Sequence, residues 1–112
     1  KTKVMGQLEI ADENAVKVMG DAALGIITAS HYDYAHKSAK NDAFVKAYNA
    51  AYGRNPDFFS IGGWDGMQLI YDVLKKTGGK TDAQAMVDAA KGMKWESPRG
   101  PISIDPETRD II

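Results

Sequence analysis

The spacing of apolar residues predicts four helical segments along the chain, of which three are short. In each short segment the apolar residues recur at helical intervals, so that they share one face of the helix. Each segment also begins at a residue that can cap a helix and ends at a glycine. The three run from Asp12 to Gly20, from Asn41 to Gly53, and from the capping box of Thr81 and Gln84 to Gly92.

The longest helix is predicted to start at a cap on Asp57 and to end near Lys76. Gly62 and Gly63 lie inside it, and each would cost the helix about 1 kcal/mol relative to alanine. Either the helix begins later, near Gly63, or a close backbone contact requires the two glycines. Five residues are expected to face inward: Ile61, Met67, Ile70, Tyr71 and Leu74.

Four short strands are predicted between and after these helices. Residues 3–5 and 23–29 are extended apolar runs, and residues 93–96 pair with 102–104 through a turn at 98–100. The run at 23–29 is apolar throughout, which is typical of a parallel strand that is covered on both faces. Parallel neighbours need crossover connections that this chain supplies poorly. The pattern therefore predicts an α/β or α+β chain that is part of a larger sheet system.

Composition excludes several classes of function. The net charge is −1, with 14 basic and 15 acidic residues scattered along the chain, so no basic patch indicates a nucleic-acid partner. The absence of cysteine excludes thiol catalysis, disulfides and cysteine-ligated zinc. No apolar run is long enough to span a membrane, and these residues are not expected to include a signal peptide. A chain that begins Lys-Thr-Lys is expected to be a processed or excised piece.

The candidate catalytic and metal-binding residues do not form a reactive set. Ser30, His31 and Asp33 are the residue types of a hydrolase triad, but near neighbours in sequence cannot adopt its geometry. His31 and His36 are five positions apart, whereas one helix face needs three or four. The sequence therefore predicts no catalytic residue, no metal site and no cofactor.

A series of motifs nevertheless occurs in a distinctive order. It comprises Gly20 to Thr28, Asn41 to Tyr52, Gly53 before Pro56-Asp57, Gly63-Trp64-Asp65-Gly66, Gly78-Gly79, Ser97-Pro98-Arg99-Gly100 and Ile104 to Asp110. In this order and spacing the chain resembles the type I periplasmic substrate-binding proteins of ABC importers. The resemblance is to the branched-chain amino acid (Leu/Ile/Val-binding) and aromatic-carboxylate-binding members. It covers the whole chain but only the C-terminal part of a typical member, so a C-terminal fragment is expected.

The resemblance implies an α/β fold with two hinge-connected lobes, each a three-layer α/β/α sandwich. Residues 1–29 would belong to the second lobe, and residues 30–40 would form a crossover or hinge loop. Residues 41–92 would supply helices of the first lobe, and residues 93–112 would return to the second. A chain divided in this way would expose apolar surface and is expected to self-associate or to pair with its missing part.

The resemblance also places a ligand-binding loop directly after the first strand, at Gln7, Leu8 and Glu9. Members that bind amino acids often carry an acidic residue here, which contacts the ligand ammonium group. The matching position falls on Leu8, with Glu9 one residue away. An apolar residue at that position favours a ligand without an amine, such as an aromatic or keto acid. The alternative is a solvated loop with no contact to ligand.

Four further residues are candidates for ligand contact. By resemblance, Phe59 packs on the hydrophobic tail of the ligand with Ile61 near it, although ordinary core packing explains both equally well. Trp64 stands where the family usually has tyrosine before aspartate, so it either packs at the lobe edge beside a locally paired Asp65 or contacts ligand. Tyr32 lies on the crossover loop and either closes over the cleft or packs at the hinge.

The function implied is the extracytoplasmic solute-binding component of an ABC importer. Its ligand would be a small hydrophobic carboxylate: a branched-chain amino acid, an aromatic acid or a keto acid, held between two closing lobes. The partner would be the ABC permease, and the location periplasmic, or extracellular and lipid-anchored in a Gram-positive source. Arg99, Arg109 and Asp110 are expected to stabilise turns. The alternative function is a ligand-sensing domain of the same fold in a receptor or regulator.

Overall fold

Four α-helices and two separate two-stranded sheets make up the structure, a computed structural model that describes residues 2–112. The helices are α1 (Glu13–Met19), α2 (Ala39–Tyr52), α3 (Phe58–Lys76) and α4 (Ala83–Ala90). The strands are β1 (Met5–Gln7), β2 (Ile27–Ala29), β3 (Lys94–Ser97) and β4 (Gly100–Ser103). Two single 3₁₀ turns, Leu8–Ala11 and Gly20–Ala23, flank α1.

The first sheet consists of β1 and β2, which run parallel and in register, with Gln7 opposite Ala29. The predicted strand over 23–29 is too long, because only Ile27–Ala29 is extended. Gly25 interrupts the run with a φ of 87°, a conformation that an extended strand does not allow. Leu24 and Ile27 are exposed. The described residues therefore do not cover both faces of this segment, although its apolar composition predicts such cover.

Two of the predicted helix caps are wrong. Ser38 rather than Asn41 caps α2, since the Asn41 backbone N–H donates to Ser38 Oγ at 3.1 Å. Asp82 rather than Thr81 caps α4, where the Ala85 backbone N–H donates to the Asp82 carboxylate at 2.9 Å. The capping at Asp12 and the termination of α2 at Gly53 are confirmed.

Helix α3 begins at Phe58, one residue after its predicted cap, and ends at Lys76 as predicted. Asp57 and Ser60 form a reciprocal capping box at its start. Gly62 and Gly63 lie inside the first turns of the helix, and a Cβ added at either would meet nothing within 4 Å. No close contact with residues 2–112 therefore requires these glycines.

The buried core lies where the chain after β2 meets α2 and the start of α3. It contains Tyr32, Phe44, Phe58 and Ile61. Leu8 packs against this cluster from the turn that follows β1. The core thus joins the loop at the end of each parallel strand to the two long helices.

Part of the apolar surface of α3 is not covered. Met67, Ile70 and Tyr71, which were expected to face inward, are exposed, whereas Leu74 is half-buried and Val73 is buried. A compact chain of this length would have a radius of gyration of about 13 Å, whereas the observed Cα value is 17.1 Å. The prediction of exposed apolar surface is confirmed, and self-association of the chain stays a prediction.

Among residues 2–112, no helix combines the length and apolar character that a membrane crossing requires.

The second sheet is the antiparallel hairpin of β3 and β4, which was predicted. Backbone hydrogen bonds between Ser103 and Ile112 add the end of the chain along β4. Arg99, in the hairpin turn, was expected to act locally. Instead its Nε donates to the Asp65 carboxylate of α3 at 2.8 Å, which ties the hairpin to that helix.

Candidate functional site

The carboxyl ends of β1 and β2 lie side by side and open into a cleft. Because the two strands are parallel and in register, the residues that follow Gln7 and Ala29 leave the sheet at the same edge. Ligands of open α/β sheets bind outside this edge. We call the cavity there, of about 420 Å³, the strand-end cleft. Its lining residues are Gln7, Leu8, Glu9, Ala29, Ser30, His31 and Phe58.

One wall of the strand-end cleft is the 3₁₀ turn that directly follows β1. Leu8 is half-buried and packs against the core, whereas Gln7 and Glu9 are exposed. The end of β1 and the turn after it therefore give this wall an apolar side chain flanked by an amide and a carboxylate.

The opposite wall is the first turn of α3. His31 Nε2 lies 3.3 Å from the Phe58 carbonyl oxygen, and the imidazole meets the Phe58 ring edge to face at a centroid distance of 6.0 Å. The Phe59 ring stacks beside Phe58 at 4.1 Å and is 68% exposed. Both aromatic rings are therefore held at the end of the helix that faces β1 and β2.

The loop between β2 and α2 is held by one buried amide. The Nδ2 group of Asn41 donates to the backbone oxygens of Tyr34 and His36, both at 2.8 Å. The Tyr32 hydroxyl donates to Asn41 Oδ1 at 2.8 Å. Burial, reinforced by the nearby charges of Asp33 and Glu13, raises the pKa of Tyr32 to about 12, so this hydroxyl keeps its proton. The loop is thus anchored by side-chain bonds from within α2.

The strand-end cleft brings together only part of the predicted site. Gln7, Leu8 and Glu9 line it together, and Phe59 lies beside it, stacked on Phe58. The other three candidates lie elsewhere. Tyr32 is buried in the core, Ile61 is fully buried beneath the first turn of α3, and Trp64 packs on Phe44 at 5.0 Å in the groove between α2 and α3.

Sequence reasoning missed Ser30, His31 and Phe58, which also line the cleft. A signal for the first two was present, because they directly follow a predicted parallel strand and such strand ends carry ligand sites. No sequence signal showed that Phe58 rather than Phe59 lines the cleft. Two neighbouring aromatic residues at a helix start face different directions, and only the packing of the helix decides which one faces the cleft.

Two larger cavities are also present. One, of about 600 Å³, is the groove between α2 and α3, which is lined mainly by apolar and aromatic side chains and is the uncovered face of the two helices. The other, of about 520 Å³, adjoins the strand-end cleft, shares Leu8, Ser30 and His31 with it, and extends along the loop to His36 and Arg99. Within residues 2–112 no cluster of His, Asp and Glu could hold a metal ion.

Acid is expected to weaken the start of α3 through Asp57. Burial disfavours ionisation of this carboxyl, but hydrogen bonds from the Ser60 hydroxyl and N–H and from Arg54 outweigh it and lower its pKa below the ordinary 3.8. Since the folded pKa is lowered, the unfolded chain binds the proton more tightly. The stabilisation is therefore present above the ordinary pKa and is lost as pH falls through the lowered one.

The measurement is the free energy of unfolding as a function of pH, from about pH 7 to about pH 3. Asp57→Asn is the matched variant, because asparagine also caps helices but does not titrate. We expect a shallower acid loss for Asp57→Asn than for the unaltered protein. Identical acid profiles would contradict this account of Asp57.

Comparison with known proteins gives a consistent result. The family model described as periplasmic binding protein matches residues 1–112. The chain is 46% identical over 106 residues to Leu/Ile/Val-binding protein homolog 6 of Brucella abortus (strain 2308), covering 92% of this chain and 27% of that protein.

Solved structures of solute-binding proteins of ABC transporters are also similar. One from Rhodopseudomonas palustris BisB5, in complex with 3,4-dihydroxybenzoic acid, is 55% identical with a TM-score of 0.90, over 98% of this chain and 30% of that one. One from R. palustris HaA2, in complex with p-hydroxybenzoic acid, is 39% identical with a TM-score of 0.89, over the same shares, 98% and 30%. The likeness confirms the predicted α/β fold class. The chain spans less than a third of the length of these proteins.

Proposed function

Because the chain belongs to the periplasmic binding protein family, we propose that it supplies part of the ligand cleft of the extracytoplasmic solute-binding component of an ABC importer. The strand-end cleft carries this proposal. It lies at the carboxyl ends of two parallel strands, where ligands of α/β sheets bind, and the start of a long helix closes its other side. We call the chain at the length of its relatives the whole protein.

The ligand is proposed to be a small hydrophobic carboxylate. Leu8, Ala29 and Phe58 give the strand-end cleft apolar walls, and a few polar groups stand among them. Small-molecule sites combine apolar walls for affinity with a few polar groups for orientation. Related proteins with solved structures hold 3,4-dihydroxybenzoic acid and p-hydroxybenzoic acid, which are ligands of this kind.

Within this class, aromatic or keto acids are proposed to bind better than amino acids. An ammonium group that leaves water needs a paired anion or several acceptors, since an unpaired buried charge is costly. Leu8 offers neither at the position that the family resemblance assigns to amine contact. Glu9 is exposed and adjacent, so it is the residue of the described turn that could reverse this preference.

The two lobes are proposed to meet at the strand-end cleft. In this arrangement residues 1–29 and 93–112 lie in the second lobe, residues 41–92 lie in the first, and residues 30–40 cross between them. The cleft lies between the turn after β1 and the first turn of α3, so it falls where these segments face each other. Closure of the lobes would then bring Leu8 and Phe58 onto opposite sides of a ligand.

The partner is proposed to be an ABC permease, and the location extracytoplasmic. The family supports both proposals, as do the two R. palustris proteins named above, which are solute-binding proteins of ABC transporters. We propose no catalytic activity, since the Ser30 hydroxyl, which lines the strand-end cleft beside His31, accepts from the Tyr32 backbone N–H at 3.3 Å and makes no hydrogen bond to the imidazole among the described residues.

A thermal-shift panel on the whole protein tests this function. It covers benzoate, 4-hydroxybenzoate, 2-keto acids, leucine and phenylalanine, with sugars and divalent cations as controls. A ligand at about 100 times its Kd stabilises the protein by about 2.7 kcal/mol, which a melting curve resolves. Stabilisation by hydrophobic carboxylates alone is expected. Stabilisation by sugars or cations, with none by the carboxylates, would contradict the proposal.

A further inference from the structure

His31 is the one histidine of the chain that lines the strand-end cleft, and it stands between its two walls. It follows β2 by two residues, and it contacts the first turn of α3 through Phe58. Its side chain is therefore held in place from the side of α3, while the residue lines the cavity.

The contact with Phe58 determines which ring nitrogen carries the proton. A backbone carbonyl oxygen only accepts hydrogen bonds, so the bond of 3.3 Å between His31 Nε2 and the Phe58 oxygen requires a hydrogen on Nε2. In the neutral imidazole the other nitrogen, Nδ1, is then an acceptor. The neutral His31 ring thus keeps one acceptor nitrogen that the Phe58 contact does not use, on a residue that lines the cleft.

His31 is exposed, so water satisfies its Nδ1 acceptor when no ligand is bound. A ligand that carries a hydrogen-bond donor on its apolar ring would replace that water at Nδ1, whereas an unsubstituted ring would displace the water and offer no donor. Sites built to bond a hydroxyl reject analogues that lack it.

We propose that His31 is a specificity-determining residue, which accepts a hydrogen bond from a phenolic hydroxyl and so selects hydroxylated aromatic carboxylates over benzoate. The inference rests on the proposed function, in that the strand-end cleft must first bind an aromatic carboxylate. Beyond that function, the inference names the phenolic hydroxyl as the ring substituent that is recognised and His31 as the residue that recognises it.

The test is a calorimetric titration of the whole protein with 4-hydroxybenzoate and with benzoate, in the unaltered form and in His31→Phe. Phenylalanine keeps an aromatic ring against Phe58 but has no acceptor. We expect the ratio of the two affinities, hydroxybenzoate over benzoate, to fall about tenfold in His31→Phe. His31→Asn restores a side-chain acceptor and is expected to recover part of the ratio.

His36→Phe is the matched control, because His36 is exposed on the same loop and does not line the strand-end cleft. Its affinity ratio should equal that of the unaltered protein. An unchanged ratio in His31→Phe, or an equal loss for both ligands, would overturn the inference while leaving the proposed function in place. If the unaltered protein binds neither acid, the proposed function itself fails.

Discussion

Replacing Arg99 by methionine is expected to destabilise the whole protein by about 3–5 kcal/mol, because the change leaves a buried charge without its partner. The Asp65 side chain is 3% exposed and the Arg99 side chain 14% exposed, and their bond is 2.8 Å long. The second carboxylate oxygen of Asp65 has no hydrogen-bond partner among the described residues, so Arg99 supplies the compensation that the structure provides. The measurement is the free energy of unfolding from denaturant titration.

Two further variants separate a buried-charge effect from general damage. Asp65→Leu combined with Arg99→Met removes both charges and is expected to recover most of the lost stability, because an apolar pair can replace a buried ion pair at little cost. Lys91→Met breaks a bond of the same length, 2.8 Å, to Asp88 on the surface, and little change is expected there. Equal losses for Arg99→Met and Lys91→Met would contradict this account of Asp65.

Replacing Asn41 by alanine is expected to cost about 3 kcal/mol or more, because each buried polar group left without a partner costs about 1–3 kcal/mol. The fully buried Asn41 amide satisfies the backbone oxygens of Tyr34 and His36 and accepts from the Tyr32 hydroxyl. Alanine serves none of these three groups. Since they belong to the loop between β2 and α2, hydrogen exchange in that loop should rise with the loss of stability.

Asn49→Ala is the matched control for this prediction. Asn49 lies on the same helix, and its amide also makes two bonds, to the Val45 oxygen and to Asn55 Oδ1. The Val45 oxygen keeps its backbone hydrogen bond within α2, and the bond to Asn55 is exposed, so water replaces it and a small loss is expected. Equal losses for Asn41→Ala and Asn49→Ala, with no change in exchange over the loop, would show that Asn41 does not anchor it.

The helices could be predicted from sequence because their signals are local. Apolar spacing, the cap at Asp57 and the stop at Gly53 all act within a few residues, and these features are confirmed. The cap at Asn41 was wrong for a reason that no local pattern contains. Its buried side chain forms hydrogen bonds with the Tyr32 hydroxyl and the loop oxygens, so it cannot cap α2, and Ser38 is the cap instead.

The family was also predictable, because its motifs are spread in order along the whole chain, and the comparison confirms it. The candidate site could be predicted from the sequence only in part. Gln7, Leu8 and Glu9 lie at the end of the first strand and could be placed from sequence, whereas His31 joins them through the pairing of β1 with β2. Ile61 is buried, as its inward face predicts, whereas the contact of Trp64 with Phe44 depends on the packing of α2 against α3, which no local pattern contains.

The cleft is proposed to take a hydrophobic carboxylate that lacks an amine, and one matched pair of ligands tests this claim most directly. Phenylpyruvate and phenylalanine differ only in the keto or amino group beside the carboxylate. We would titrate each into the whole protein by calorimetry. Saturable binding of phenylpyruvate at one site, with phenylalanine at least about tenfold weaker, is predicted. Equal or reversed affinities would contradict the role given to Leu8, and no binding of either would contradict the strand-end cleft as a site for such ligands.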